Sequence, residues 1–158
     1  DPNIKKLIHD MIETMLDSKG IGLAAPQVHV NKQIIIFQNI EENKKNEEND
    51  KEKHISITAL INPKIDITSK ATENEWEGCL SIPGMTGLVK RYSSINYQGY
   101  DMNGKLIKDT ADGLQARIIQ HEYDHLMGIV YIQRLVDVKA YGYTDEIEDY
   151  WKKSYEKK

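Results

Sequence analysis

Apolar residues recur at helical spacing in two parts of the chain and crowd into strand-like runs elsewhere. Ile4, Leu7, Ile8, Met11, Ile12, Met15 and Leu16 fall on one side of a helix that ends near Gly20. Leu114, Ile118, His121, His125 and Ile129 follow one another at steps of four, three, four and four. That spacing predicts a helix from Asp112 or Gly113 to about Gly128, with two histidines set into its apolar stripe. Gln33-Ile34-Ile35-Ile36-Phe37 predicts a buried strand, and further strands are expected at 57–61, about 65–73 and 94–101. Asn103-Gly104 reads as a hairpin turn into Lys105-Leu106-Ile107. The tail, Thr144 to Lys158, has helical spacing with Ile147, Tyr150 and Trp151 on one side. Glu41 to Lys53 has almost nothing to bury and is expected to be a mobile surface loop. Short strands without βαβ alternation, plus one buried helix, predict an α+β fold. Mainly antiparallel sheets would pack around the central histidine-bearing helix.

Composition narrows this picture. A chain of 158 residues suits a single domain that buries roughly two-thirds of its unfolded surface. A net charge of −4 argues against a DNA partner. No apolar run approaches the about 20 residues of a membrane span, so a membrane partner is not expected. One cysteine, Cys79, excludes an internal disulfide and suits a reducing compartment. Because residue 1 is Asp and not Met, an N-terminal segment is expected to be missing.

The chemistry concentrates in three segments. His121-Glu122-Tyr123-Asp124-His125 places two imidazoles one helical turn apart with a carboxylate beside them. Such a pair can grip a metal ion, and Glu122 can reach a water next to it. Buried histidines need partners, and one metal would serve both. Gly20-Ile21-Gly22-Leu23-Ala24-Ala25-Pro26-Gln27 formally fits a dinucleotide fingerprint. That fingerprint needs a strand before it and a helix after it, and here the order is reversed. What remains is a backbone of small residues that can pass close to a ligand, ending in the amide of Gln27. Two histidines leave a third metal ligand to be found. The metzincin position carries Tyr131, which leaves Glu146, Glu148 or Cys79, the last within Glu77-Gly78-Cys79-Leu80-Ser81.

Taken together, the segments Gly20 to Gln27, Glu77 to Ser81 and Gln120 to His125 resemble the signature motifs of the peptide deformylase family. The resemblance implies that Cys79, His121 and His125 hold one divalent metal ion, with water in the fourth position. Fe²⁺ is the implied ion, and Zn²⁺, Ni²⁺ or Co²⁺ its substitutes. Glu122 would be the general acid/base, and Gln27 with the Leu80 backbone N–H would form the oxyanion hole. Gly20, Ile21 and Gly22 would line the peptide, and Ile21, Leu114 and Ile118 would hold its methionine side chain. Asp124, off the metal-binding face, is assigned a supporting role with Arg91 as partner. The implied activity is hydrolysis of the N-formyl group from N-formylmethionyl peptides, nascent chains at the ribosome, in bacterial cytoplasm or an organellar matrix. Three features depart from the family pattern: the absent segment before the first helix, an insertion at 41–53, and a tail that gives a ribosome-docking role no support. Two rival readings are a zinc endopeptidase using Glu146 or Glu148 and an inactive binder of N-termini.

Overall fold

The computed structural model describes residues 1–41, 43–44, 55–147 and 149. Helix α1 (Pro2–Asp17) begins where the Asp1 side chain accepts a hydrogen bond from the Asn3 N–H at 2.8 Å, with Pro2 in the first turn. Ile8, Met11 and Met15 are fully buried, while Leu16, expected on the same face, lies at its edge and stays 37% exposed. Strand β1 (Gly22–Ala24) follows, then a 3-10 turn (Ala25–Val28) and strand β2 (Ile34–Gln38). In β2 successive side chains face opposite sides. Ile34 and Ile36 pack with Ile8, Met11 and Met15 of α1, whereas Ile35 and Phe37 pack with Leu60, Ile95, Ala116 and Ile119. The unbroken apolar run is thus the mark of a strand covered on both faces.

Strands β3 (Ile57–Ile67), β6 (Ser94–Tyr100) and β7 (Leu106–Asp112) complete an antiparallel sheet of order β1-β2-β3-β6-β7. The runs expected at 57–61 and 65–73 are in fact one strand that ends at Ile67. A bulge separates Ile61 from Lys64, with Asn62 at φ 52 and its N–H bonded to the Gln33 carbonyl. A second antiparallel sheet, order β4-β5-β8, contains β4 (Thr72–Cys79), β5 (Ile82–Tyr92) and β8 (Tyr141–Tyr143).

Helix α2 (Gly113–Leu126) packs against strands of both sheets. Its end forms a capping motif: Gly128 takes φ 72 and the Ile129 N–H reaches the Asp124 carbonyl at 2.9 Å. The expected single stripe is incomplete as a description. Arg117, Gln120, Glu122 and Asp124 are buried alongside Ala116, Ile118 and Ile119, and Leu114 is 52% exposed. Of the loop expected at 41–53, residues 41, 43 and 44 lie in a helical turn that begins at Ile40. The Asn43 side chain there bonds Gln38, and its Oδ1 accepts from the Ser56 N–H. The rest of 41–53 lies outside the described residues, as does most of the 144–158 tail, whose described part begins with a single helical turn, Thr144–Glu146. Among the described residues no helix is long and apolar enough to cross a membrane.

Candidate active site

Cys79 is the last residue of β4, immediately before the Leu80–Ser81 turn into β5. On α2, His121 and His125 lie one turn apart with ring centroids at 5.0 Å. The strand and the helix bring one donor atom each from Cys79, His121 and His125 to within 4.8 Å of one another. Cys79 Sγ is 3.4 Å from His125 Nε2. A thiolate and two imidazoles form a donor set suited to a first-row transition metal. Among the described residues Glu146 is not part of this cluster, and Glu148 lies outside them.

Electrostatics favour the charged forms of two of these groups. Burial opposes the Cys79 thiolate, but hydrogen bonds with His121, His125 and the Ser81 backbone overcome it and bring the thiol down to about 5. Burial likewise opposes a charged His121, yet Cys79 and Glu77 raise it to about 10. Thiolate and imidazolium therefore hold each other, and a metal cation taking that place would release the imidazole proton.

Glu77 orients the nearer histidine. It stands two residues before Cys79 on β4, with a register irregularity between them. Its Oε2 lies 2.9 Å from His121 Nδ1, which leaves Nε2 for the centre. Arg91 grips Glu77 with a two-pronged contact at 2.9 and 3.0 Å, and Arg117 adds a third bond at 2.8 Å. Burial alone would raise the Glu77 pKa, but His121 and Arg91 pull it down to about 2. Arg91 also donates to Asp124, whose Oδ1 accepts from Arg134 Nη2 at 2.7 Å. Asp124 and Arg91 are 6% and 4% exposed, so the helix is tied to β5 through a buried ion pair behind the metal-binding face.

Glu122 is buried beside the cluster, and its Oε2 has no hydrogen-bond partner among the described residues. Burial raises it to about 7 against the pull of His121 and His125. Gly22 of β1 touches this carboxylate so closely that a Cβ there would overlap it. Gln27 is fixed by its Oε1, which accepts from the Ala24 N–H at 2.9 Å. Its Nε2 then reaches Ser81 Oγ at 3.0 Å and Cys79 Sγ at 3.7 Å.

Gln27, Glu77, Cys79, Arg117, His121 and Glu122 line a cleft of about 550 Å³, a typical size for a small-ligand site. Gly20, Ile21, Gly22, Gln27, Leu80, Leu114 and Ile118 all border it, together with Trp76, Ile82 and Met85. Leu114 and Ile21, 52% and 44% exposed, stand at its mouth, while Ile118 is buried. The sequence reading missed Glu77, Arg117 and Arg134. Two signals were available: the two-residue step from Glu77 to Cys79, and Arg117 standing one turn before His121. Arg134 carried none.

The family model for polypeptide deformylase matches residues 1–141. Peptide deformylase 1 of Bordetella pertussis is 44% identical over 144 residues, 91% of this chain and 80% of the relative. The crystal structure of a Synechococcus elongatus peptide deformylase in complex with actinonin superposes with TM-score 0.77 at 37% identity, covering 98% of this chain and 76% of that one. A Met-Ala-Ser-bound class I type b peptide deformylase from Acinetobacter baumannii gives TM-score 0.73 at 32% identity, covering 85% and 82%.

Proposed function

This chain belongs to the peptide deformylase family, and from that premise we propose how its residues divide the work. The enzyme hydrolyses the N-formyl group from nascent polypeptides that begin with formylmethionine, releasing formate and a free amine. Cys79, His121 and His125 hold a divalent metal ion, Fe²⁺ in the native enzyme with Zn²⁺, Ni²⁺ or Co²⁺ able to substitute. The ion supplies Lewis acidity, which makes hydroxide available near neutral pH. The convergence of those three donor atoms, with a buried carboxylate alongside, is the observation that carries this reading.

Glu122 takes the proton of the attacking water and later delivers it to the leaving amine. Burial pushes its carboxyl upward, toward the range where a group can both accept and return a proton. As the formyl oxygen gains charge, the Gln27 carboxamide and the Leu80 N–H donate to it. Removing one donor of this kind typically costs about 10²–10³ in rate. Glu77, locked by Arg91 and Arg117, keeps His121 in a single ring orientation. Asp124 and Arg91 brace the helix behind it.

The substrate backbone lies along β1, an edge strand of the larger sheet, beside Gly20, Ile21 and Gly22. Main-chain hydrogen bonds at that edge accept most sequences, so selectivity rests on the methionine side chain among Ile21, Leu114 and Ile118. The substrates are nascent chains emerging from ribosomes of a bacterial cytoplasm or an organelle matrix. The described residues work as one catalytic domain. Formate release from formyl-Met-Ala-Ser, set against cleavage of an internal peptide bond, tests the proposal. Rapid formate release with the internal bond intact is expected, and the reverse would make the protein a peptidase.

A further inference from the structure

A second concavity, of about 610 Å³, involves a different side of α2 and is not used by the hydrolysis. Its volume falls in the range of ligand sites, about 300–1,000 Å³. It forms where β3, β5, the end of α2 and the chain at 129–136 meet. Its walls include Ile67, Tyr92, Met127 and Val136, which are 46%, 39%, 51% and 42% exposed. Large apolar side chains gathered in one hollow mark an interaction site more often than scattered ones do.

The charge in the hollow has one sign in excess. Lys90, Arg91 and Arg134 line it, against the single carboxylate of Asp124. Asp124 is already shared by both arginines, and Arg91 is further committed to Glu77. Among the described residues no carboxylate pairs with Lys90. A cationic rim over an apolar wall, in a chain of net charge −4, is a local reversal that favours an anion with a hydrocarbon body. We propose that this cavity binds an apolar carboxylate, with its chain against Ile67, Met127 and Val136 and its anionic end at Lys90 and Arg134. A free short-chain fatty acid and the C-terminus of an apolar peptide both present that chemistry.

Methionine methyl NMR on the zinc-loaded enzyme separates the two cavities, because Met127 lines this one and Met85 the active-site cleft. Octanoate and N-acetyl-Leu-Leu are titrated as the two carboxylate sources, with octanol as the uncharged control. The Met127 methyl should shift saturably with at least one carboxylate while Met85 stays still. Whichever binds tighter identifies the source. Octanol should bind about tenfold more weakly, as expected when a charge-assisted hydrogen bond is lost. Lys90→Gln, at an exposed position, should weaken binding several-fold, and so should Arg134→Gln if its melting temperature shows it folded. The proposal fails if no saturable Met127 shift appears, if Met85 shifts at the same concentrations, if octanol binds equally well, or if Lys90→Gln leaves affinity unchanged.

Discussion

Gly22→Ala isolates the placement of Glu122 from its chemistry. Gly22 does not take a positive φ, so alanine is compatible with the backbone there. Its Cβ, however, would lie 2.9 Å from both Glu122 Cγ and Cδ. Carbon atoms settle at about 3.5–4.0 Å, so the carboxylate must retreat by roughly 1 Å. A misplacement of that size typically costs about 10²-fold in rate, within the about 10²–10⁴ that a positioned acid–base group contributes. Overpacking costs about 1–3 kcal/mol, offset by about 0.5–1 kcal/mol from replacing a strand glycine. The melting temperature should therefore fall by no more than about 10 °C.

The assay is kcat/KM for formyl-Met-Ala-Ser, with bound metal measured by atomic absorption on the same preparations. Gly22→Ala should lose about 10²-fold in activity with metal content intact. The double variant Gly22→Ala/Glu122→Ala should be no slower than Glu122→Ala alone, because the displaced group is already gone. Activity within threefold of wild type, or fully additive losses in the double variant, would refute the claim that Gly22 acts by leaving room for Glu122.

Three further outcomes follow from the site. Cys79→Ala should lose most of its bound metal, and metal should protect native Cys79 from alkylation, whereas Glu146→Ala should keep its metal; full metal occupancy in Cys79→Ala would favour the peptidase reading. Glu77 is held at about 2 against an ordinary 4.5, so its contribution is complete above about pH 5 and disappears as pH falls through about 2. Glu77→Gln should cost on the order of 3 kcal/mol at neutral pH and far less at about pH 2, and an equal loss by chemical denaturation at both would contradict the assignment. Among tripeptides, formyl-norleucine should match formyl-Met, formyl-Ala should fall more than about tenfold because buried methylenes are worth about 0.8 kcal/mol each, and acetyl-Met should be poor because its methyl crowds Gln27 and the Leu80 amide; equal rates on formyl and acetyl substrates would count against the cleft described.

What could be read from the sequence was whatever shows as an unbroken local pattern, a stripe at helical spacing or a continuous apolar run. The α1 stripe, the β2 run and the limits of α2 all meet that condition, and the three motifs name residues that the fold gathers around one cleft. The β4–β5 hairpin does not meet it. Thr72 to Gly78 is almost entirely polar, and Gly84 and Gly87 interrupt β5, so no alternation marks a strand. The bulge at Asn62 splits β3 for the same reason, since one extra residue shifts every later side chain to the other face.

The polar side of α2 was hidden by a different cause. A helix on the surface of one sheet should turn Arg117, Gln120 and Asp124 to water, and the stripe model assumes that arrangement. This helix instead touches strands of both sheets, so those residues are buried and must be satisfied by partners. The partners are far away in sequence: Glu77 lies 40 positions from Arg117 and Arg91 lies 33 from Asp124. No local pattern encodes such pairs, because the requirement arises only once the second sheet closes over the helix. Buried ion pairs of this sort are weak contributors to net stability, since desolvation cancels much of the attraction. Their value here is geometric. Arg91 joins Glu77, which sets the His121 ring, to Asp124, which lies on the same helix as that histidine. The ring and the helix that carries it are therefore aligned by one guanidinium, an arrangement that an apolar core of equal stability would not provide.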